Sequence, residues 1–340
     1  MRRAVLALGV LVCTALVVII GSRRWADQTL DERSAQTVAI RVVVPPGATL
    51  RAVLADLEGK GVLHRAPAVE LALRVRGGMP SIRAGEYQIL PHASPREILE
   101  QLAAGRVILE QLTIVEGWTF ADMRRALEAH PGLRATQRGR SDDEVMAMLG
   151  HPGEHPEGRF QPDTYRFAAG TSDRAILALA YDAMAKDLAA QWQDRAPDLP
   201  LRSPYEALIL ASIVEKETGL AAERPRIAGV FLERLRRGMR LQSDPTVIYG
   251  LGDRYDGDIR SRDLVTDTPY NTYTRTGLPP TPIALPGRDA LRAVLRPLLT
   301  GELYFVATGA GDGSHHFSRS LEEHNAAVRR YLARLRAGSP

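Results

Sequence analysis

Hydrophobic positions fall first into one unbroken run and then into short patches of alternating or helical period. The run spans Ala4 to Ile20, seventeen uncharged and mostly apolar residues, with Arg2 and Arg3 before it and Arg23 and Arg24 after. Gly21 and Ser22 extend the uncharged stretch to nineteen, about the length of helix that crosses a bilayer. A cleaved signal peptide is the alternative. No small-x-small pattern follows the run, two arginines stand where cleavage would fall, and Val12 before Cys13 argues against a lipoprotein signal. An uncleaved anchor over 1–24 is therefore expected. The flanking arginines are symmetrical, so charge does not orient it; the short tail before it and the long chain after it favour the body outside.

Residues 25–37 are polar and read as a membrane-proximal linker. Val38 to Val44 then alternates as a strand that stops at Pro45, Pro46 and Gly47. Thr49 is placed to cap a helix whose apolar residues Leu50, Val53, Leu54 and Leu57 share one face. A second amphipathic helix follows over Pro67–Arg76, and Ala84–Leu90 reads as another strand. Strand, two helices, strand is the order of a LysM-like module, expected here over 38–110; modules of that kind elsewhere bind N-acetylglucosamine polymers. A plain spacer domain has the same order. Ser94-Pro-Arg-Glu97 is a capping box, Val107–Val115 is strand-like, and Thr119 opens another helix. Residues 111–157 read as a connecting region, with Ser141 capping a short helix inside it. A larger α+β body is expected over 158–340, with helices at 204–217, 222–237 and 320–336 between short strands and long loops. The fold class is thus α+β: an N-terminal transmembrane helix, a LysM-like small α+β module and a larger α+β domain.

Composition narrows the function classes. Charged residues make up 25% of the 340 and the formal net charge is only +4, with both signs interspersed. Nucleic acid is not an expected partner. The one cysteine, Cys13, lies in the apolar run, so the body has no disulfide, thiolate metal site or cysteine nucleophile. No cofactor is called for.

Ser203-Pro-Tyr-Glu206 is a second strong helix start. The helix continues through ALILASIV, where only Ser212 is polar, and reaches Glu215 on a mainly apolar face, while Glu217 points roughly the opposite way. A carboxyl in an apolar setting loses hydration of its charged form and can stay protonated near neutrality. A protonated carboxyl can give its proton to a glycosidic oxygen. A helix-end glutamate paired with Lys216 or an arginine is the competing reading. Downstream, Gln242, Asp244, Thr246, Tyr249, Asn271 and Tyr273 cluster in LQSDPTVIY and PYNTY. Such residues offer flat faces and hydrogen bonds to sugars, and equally make turns. His315-His316 invites a zinc reading, but adjacent strand residues face opposite ways and no HExxH accompanies them, so no metal is expected.

The segments ASIVEKET (211–218), RIAGVFLERLRRGMRLQSDPTVIYG (226–250), PYNTYTRTGLPPTPIALPG (269–287) and LYFVATGAGDGSHHFSRSLEEHN (303–325) resemble the endolytic murein transglycosylases, the YceG-like family. The likeness extends to Glu157–Tyr165 and, more weakly, to the module and anchor. It implies a lyase of the bacterial inner membrane, single-pass, with its catalytic domain (158–340) in the periplasm. Such an enzyme cleaves the N-acetylmuramic acid–β-1,4–N-acetylglucosamine bond within nascent peptidoglycan strands, leaves a 1,6-anhydro end and thereby terminates strands. The resemblance carries the catalytic role to Glu215, the first glutamate of the motif, and implies peptidoglycan synthases as partners. Gln242, Asp244, Thr246, Tyr249, Asn271 and Tyr273 are the substrate-positioning candidates. Three rivals remain at this point: a non-catalytic wall-binding scaffold, a water-using muramidase and a periplasmic peptidase.

Overall fold

The computed structural model describes residues 2–338, with side-chain surroundings from 6 to 336. The chain mixes helix and strand and divides into two compact units, 1–110 with 166–170, and 111–165 with 171–340. Residues 111–157 thus cluster with the second unit, although their Gly, Pro and charge content reads as a connection.

In the first unit, α1 (Arg2–Asp31) is a single helix that takes in part of the polar segment expected to be a linker. Its stretch from Leu6 is long and apolar enough to cross a membrane. Large apolar side chains from Leu6 to Ile20 are 46–70% exposed, a surface that water would penalise and lipid would not. Beyond the arginines the helix joins a core: Ala26 and Leu30 are buried with β1 (Ile40–Val44), α2 (Leu50–Gly59), α3 (Ala66–Arg76), β2 (Gly85–Ile89) and α4 (Pro95–Ala104). Arg96 fastens this end of α1, with Nε 2.6 Å from Asp31 and Nη2 3.1 Å from Asp27. The strands pair antiparallel with Val42 opposite Tyr87 and Ile40 opposite Ile89, and their alternation sends Val42, Val44, Tyr87 and Ile89 inward.

Chain order then gives β3 (Leu109–Thr113), α5 (Phe120–Ala129), β4 (Leu133–Arg134), α6 (Asp142–Leu149), β5 (Thr164–Ala168), β6 (Thr171–Ser172) and α7 (Asp173–Gln193). β3 pairs with β5, the strands in which the boundary between the units falls, and β4 pairs parallel with β6. The remainder is α8 (Pro204–Glu217), α9 (Arg224–Arg236), α10 (Asp244–Leu251), α11 (Ser261–Val265), α12 (Arg288–Leu295), the antiparallel hairpin β7 (Tyr304–Ala307) and β8 (His315–Ser318), and α13 (Leu321–Gly338). The capping boxes at Ser94 and Ser141 close in both directions. At Ser203 only one half forms: Ser203 accepts the Glu206 N–H, while the Glu206 carboxylate takes the N–H of Arg202.

α8 runs through the core of the second unit. Ala207 to Val214 are all buried, packed with Ile227, Val230 and Phe231 of α9 and Leu291 and Val294 of α12. A helix buried on every side must be apolar all round, which is why its sequence shows almost no amphipathic period. Gly229 of α9 lets the backbone at Leu298 come close: a Cβ there would stand 2.2 Å from the Leu298 carbonyl oxygen. Gly229→Ala is expected to destabilise the protein by about 1–3 kcal/mol, the usual cost of overpacking. Thermal unfolding of the detergent-solubilised chain tests this; an unchanged midpoint would mean that the Leu298 segment yields freely.

Candidate active site

The last turns of α8 carry two glutamates whose side chains leave the helix on different faces and meet different surroundings. On one face, Ser212 and Glu215 are three residues apart and stack along the helix. Ser212 Oγ accepts the Ile283 N–H at 2.9 Å and donates to the Ile209 carbonyl at 2.7 Å. Glu215 Oε2 accepts the Gly287 N–H at 2.9 Å, and its Oε1 lies 3.0 Å from Arg224 Nη2. The two side chains together grip the segment 283–287. Both ends of the ion pair are withdrawn from solvent, with 5% of Glu215 and 11% of Arg224 exposed. Glu116 sits 3.8 Å from the same guanidinium, and Lys216 donates to the Gly117 carbonyl at 3.2 Å. Burial pushes the Glu215 carboxyl up; the Gly287 N–H and Arg224 pull it back, leaving it above the usual range.

On the other face, Glu217 borders a cavity of about 480 Å³. Ser243 Oγ donates to its Oε1 at 2.5 Å. Burial raises the Glu217 pKa to about 7; the Ser243 hydrogen bond and the positive charge of Arg234 oppose the rise, and Asp244 adds to it. Among the described residues no basic side chain lies within ion-pair distance of this carboxyl. Arg234 itself is spent on structure: its Nε donates to the Leu303 carbonyl and its Nη1 to the Leu241 carbonyl, both at 2.7 Å. The hydroxyl of Tyr273 donates to Asp244 Oδ1 at 2.6 Å on the cavity wall, which Tyr304, His324 and Asn325 also line.

The six substrate-positioning candidates separate into two groups. Gln242, Asp244 and Tyr273 line the cavity beside Glu217. Thr246, Asn271 and Tyr249 do not line it. Thr246 Oγ1 bonds the Ser243 carbonyl and meets Thr272 Oγ1. Asn271 donates to the carbonyls of Asp263, Leu264 and Thr266 and accepts the Tyr273 N–H at 2.9 Å. These buried groups hold the 243 and 273 loops together, which fixes where Ser243 and Tyr273 point. Gln242 adopts φ +51°, a left-handed conformation unusual for a non-glycine residue; strain of this kind persists where surrounding bonds enforce it, here the Gln242 N–H to Thr272 O. Tyr249 donates at 3.1 Å to Glu157, a carboxyl 4% exposed that also accepts the Phe120 N–H.

Of the two histidines, His315 turns to Glu223, with Nδ1 2.7 Å from Oε2 and its N–H on Oε1, whereas His316 is exposed near Arg330. Among the described residues no three His, Cys, Asp or Glu side chains converge as a metal site. Sequence reasoning singled out neither Glu217 as a cavity carboxyl nor the wall formed by Tyr304, His324 and Asn325. The EHN tail of the last motif was the available signal for that wall.

A sequence model of the YceG-like family matches residues 42–330. An endolytic murein transglycosylase of Bacillus subtilis (strain 168) is 29% identical over 322 residues, which span 89% of this chain and 87% of that protein. A protein of the same name from Streptococcus pneumoniae serotype 2 (strain D39 / NCTC 7466) is 26% identical over 326 residues, 86% of this chain but 58% of the longer relative. The crystal structure of a putative YceG-like protein from Listeria monocytogenes superposes with a TM-score of 0.53 at 29% identity, covering 85% of this chain and 99% of that one.

Glu157 supplies a test of the electrostatics. Burial raises its pKa to about 7, so the folded state binds its proton more tightly than the unfolded chain does. The associated stability is complete below the unfolded value, about 4.3, and is lost as pH rises toward 7. The loss is on the order of 3 kcal/mol. Glu157→Gln is expected to flatten the fall in thermal midpoint between pH 5 and 8 and to raise the midpoint at pH 8. An unaltered profile would place the titration elsewhere.

Proposed function

This chain belongs to the YceG-like family, and from that membership and the geometry around α8 we propose that it is an endolytic murein transglycosylase acting through Glu217. The substrate is peptidoglycan, cut within glycan strands between N-acetylmuramic acid and N-acetylglucosamine. The product is a 1,6-anhydro end. The apolar helix α1 anchors the chain in the inner membrane, single-pass, with the body in the periplasm, where cutting would terminate strands made by nearby peptidoglycan synthases. The βααβ module, LysM-like in order, would contact glycan.

The observation that carries the catalytic assignment is the contrast between the two glutamates. A general acid must hold a proton near neutral pH and reach an open space where a glycosidic oxygen can sit. Glu217 borders the cavity, with a pKa near 7 and no ion-pair partner among the described residues. Glu215, to which the family resemblance first pointed, already accepts from Arg224 and Gly287, contacts that favour its charged form and occupy both oxygens. Glu215 is then the residue that fixes the end of α8.

In this mechanism Glu217 protonates the leaving oxygen while Ser243 holds its other lone pairs in place. As carboxylate it then takes the proton of the C6 hydroxyl as O6 closes onto C1. One carboxyl serves both steps because no water is added, unlike the paired carboxylates of hydrolytic glycosidases.

Glu217→Gln is expected to lower kcat by about 10²–10⁴-fold, the range for a lost general acid, with the fold retained. Wild-type kcat should fall as pH rises through about 7, because the acid must be protonated. Glu215→Gln should keep measurable cutting and lower the thermal midpoint. Timed mass analysis of digested uncrosslinked strands reads the cutting in each case, ends lighter by one water marking the lytic reaction, and thermal unfolding reads the Glu215→Gln midpoint. Full activity in Glu217→Gln with none in Glu215→Gln would return the acid to Glu215; hydrated ends would make the protein a muramidase; glycan binding without cutting would favour a scaffold.

A further inference from the structure

A pocket beside the membrane helix serves no step of the chemistry above. It opens between the end of α1 and the start of α3, with a volume of about 80 Å³, and its walls include Trp25, Thr29, Glu32, Ser34, His64 and Arg65. That is the share of about two to three waters. An ammonium or a phosphate group fits, with the remainder of a larger molecule left at the mouth. Glu32 and Arg65 line this space with opposite charges, and both are exposed. Among the described residues neither has an ion-pair partner and no ion pair joins them, whereas Asp27, Asp31 and Glu70 in the same unit are all paired with arginines. α3 also starts here. Arg65 is its N-cap and no side chain caps its first N–H groups, so the helix end adds to the attraction that Arg65 exerts on an anion.

The helix sets the height of this pocket above the bilayer. α1 is unbroken from Arg2 to Asp31, and its uncharged stretch ends at Ser22. At about 1.5 Å per residue, Trp25 stands about 4–5 Å and Thr29 about 10 Å beyond Ser22 along the axis. The headgroup layer is about 5–8 Å deep on each side of the hydrocarbon. Trp25 therefore lies within that layer, where tryptophan is favoured, and the pocket opens at its outer edge. Ala26 and Leu30 are buried in the core of the module, so the module keeps this height. Lipid headgroups are the molecules most concentrated at that level. We propose that the pocket binds the headgroup of a zwitterionic phosphoethanolamine lipid, its ammonium on Glu32 and its phosphate on Arg65. This rests on the reading of α1 as a membrane anchor. A primary ammonium donates up to three hydrogen bonds to a carboxylate and its neighbours. A trimethylated ammonium donates none, and a glycerol headgroup carries no positive charge for Glu32. A lone helix can spin about its axis and tilt; a headgroup held beside it opposes both and fixes the face that the module turns to the membrane.

The test uses the full-length chain in detergent micelles doped with one lipid at a time: phosphatidylethanolamine, phosphatidylcholine or phosphatidylglycerol, all with the same acyl chains. Native mass spectrometry counts the bound lipid, and thermal unfolding reads the stabilisation that binding to the folded state brings. Wild type should hold one phosphatidylethanolamine about 10-fold more tightly than either other lipid, the scale of one hydrogen bond to a charged group. Glu32→Gln should erase that preference and leave weak binding of all three lipids. Arg65→Gln should weaken all three by about 10-fold. Both variants should unfold at the wild-type temperature in lipid-free micelles, since neither side chain is ion-paired within the described residues. Equal retention of the three lipids by wild type would overturn the proposal, as would a Glu32→Gln variant that keeps the preference. Equal protection by free O-phosphoethanolamine would also overturn it, because the ligand would then be a soluble one. Release of the wild-type chain from membranes by alkaline carbonate would instead defeat the anchor reading on which the position of the pocket stands.

Discussion

Ser212 and Glu215 catch the backbone of residues 283–287 from one face of α8, and much of the second unit depends on that grip. Both interactions are hydrogen bonds from buried N–H groups that water cannot reach, so each donor would be left unsatisfied if its partner were lost, at about 1–3 kcal/mol apiece. The gripped segment leads directly into α12, whose Leu291 and Val294 pack in the same core as α8. Arg224, at the start of α9, closes the arrangement by pairing with Glu215. Three helices are thus registered around one serine and one glutamate.

Registration of α8 has a chemical consequence two residues further on. With Glu215 pinned, the rotation of the final turn is set, and Glu217 is delivered to the cavity wall on the other face. Nearly the same sequence setting yields two carboxyls with different physics. Glu215 is compensated by a cation and a backbone donor, so its buried charge is tolerated. Burial of Glu217 disfavours its charged form, the single Ser243 hydroxyl donor only partly offsets this and the negative charge of Asp244 adds to it, so its proton is retained toward neutrality. The buried threonine and asparagine bonds hold the loops of Ser243 and Tyr273, and rigid support of that kind keeps a reacting group within a fraction of an ångström of a productive position.

The first unit shows another form of registration. The apolar helix does not end where its membrane-compatible stretch ends. It continues into the module, where Ala26 and Leu30 bury with α3 and α4 residues and two aspartates pair with Arg96. A polar stretch with few apolar residues looks like a linker along the chain, yet two well-placed apolar side chains per two turns suffice to dock a helix that is already nucleated.

The sequence by itself determined the elements with strong local signals: the nineteen-residue uncharged run, the caps at Thr49, Ser94 and Ser141, the alternation of Val42 and Val44, and α8 as a buried helix ending at a pair of glutamates. These are properties of nearest neighbours and of helical or strand period, and the contiguous motifs around them also placed the chain in its family. Only the tertiary structure decided which glutamate meets the cavity, that residues 111–165 join the second unit, and that Thr246 and Asn271 serve the backbone while Asp244 and Tyr273 face open space. Several of those outcomes turn on partners far along the chain, such as Ser243 for Glu217, Thr272 for Thr246 and Gly287 for Glu215. The period of a helix states that two side chains diverge. Which one diverges toward an arginine and which toward an empty space is settled by the packing of the rest of the chain.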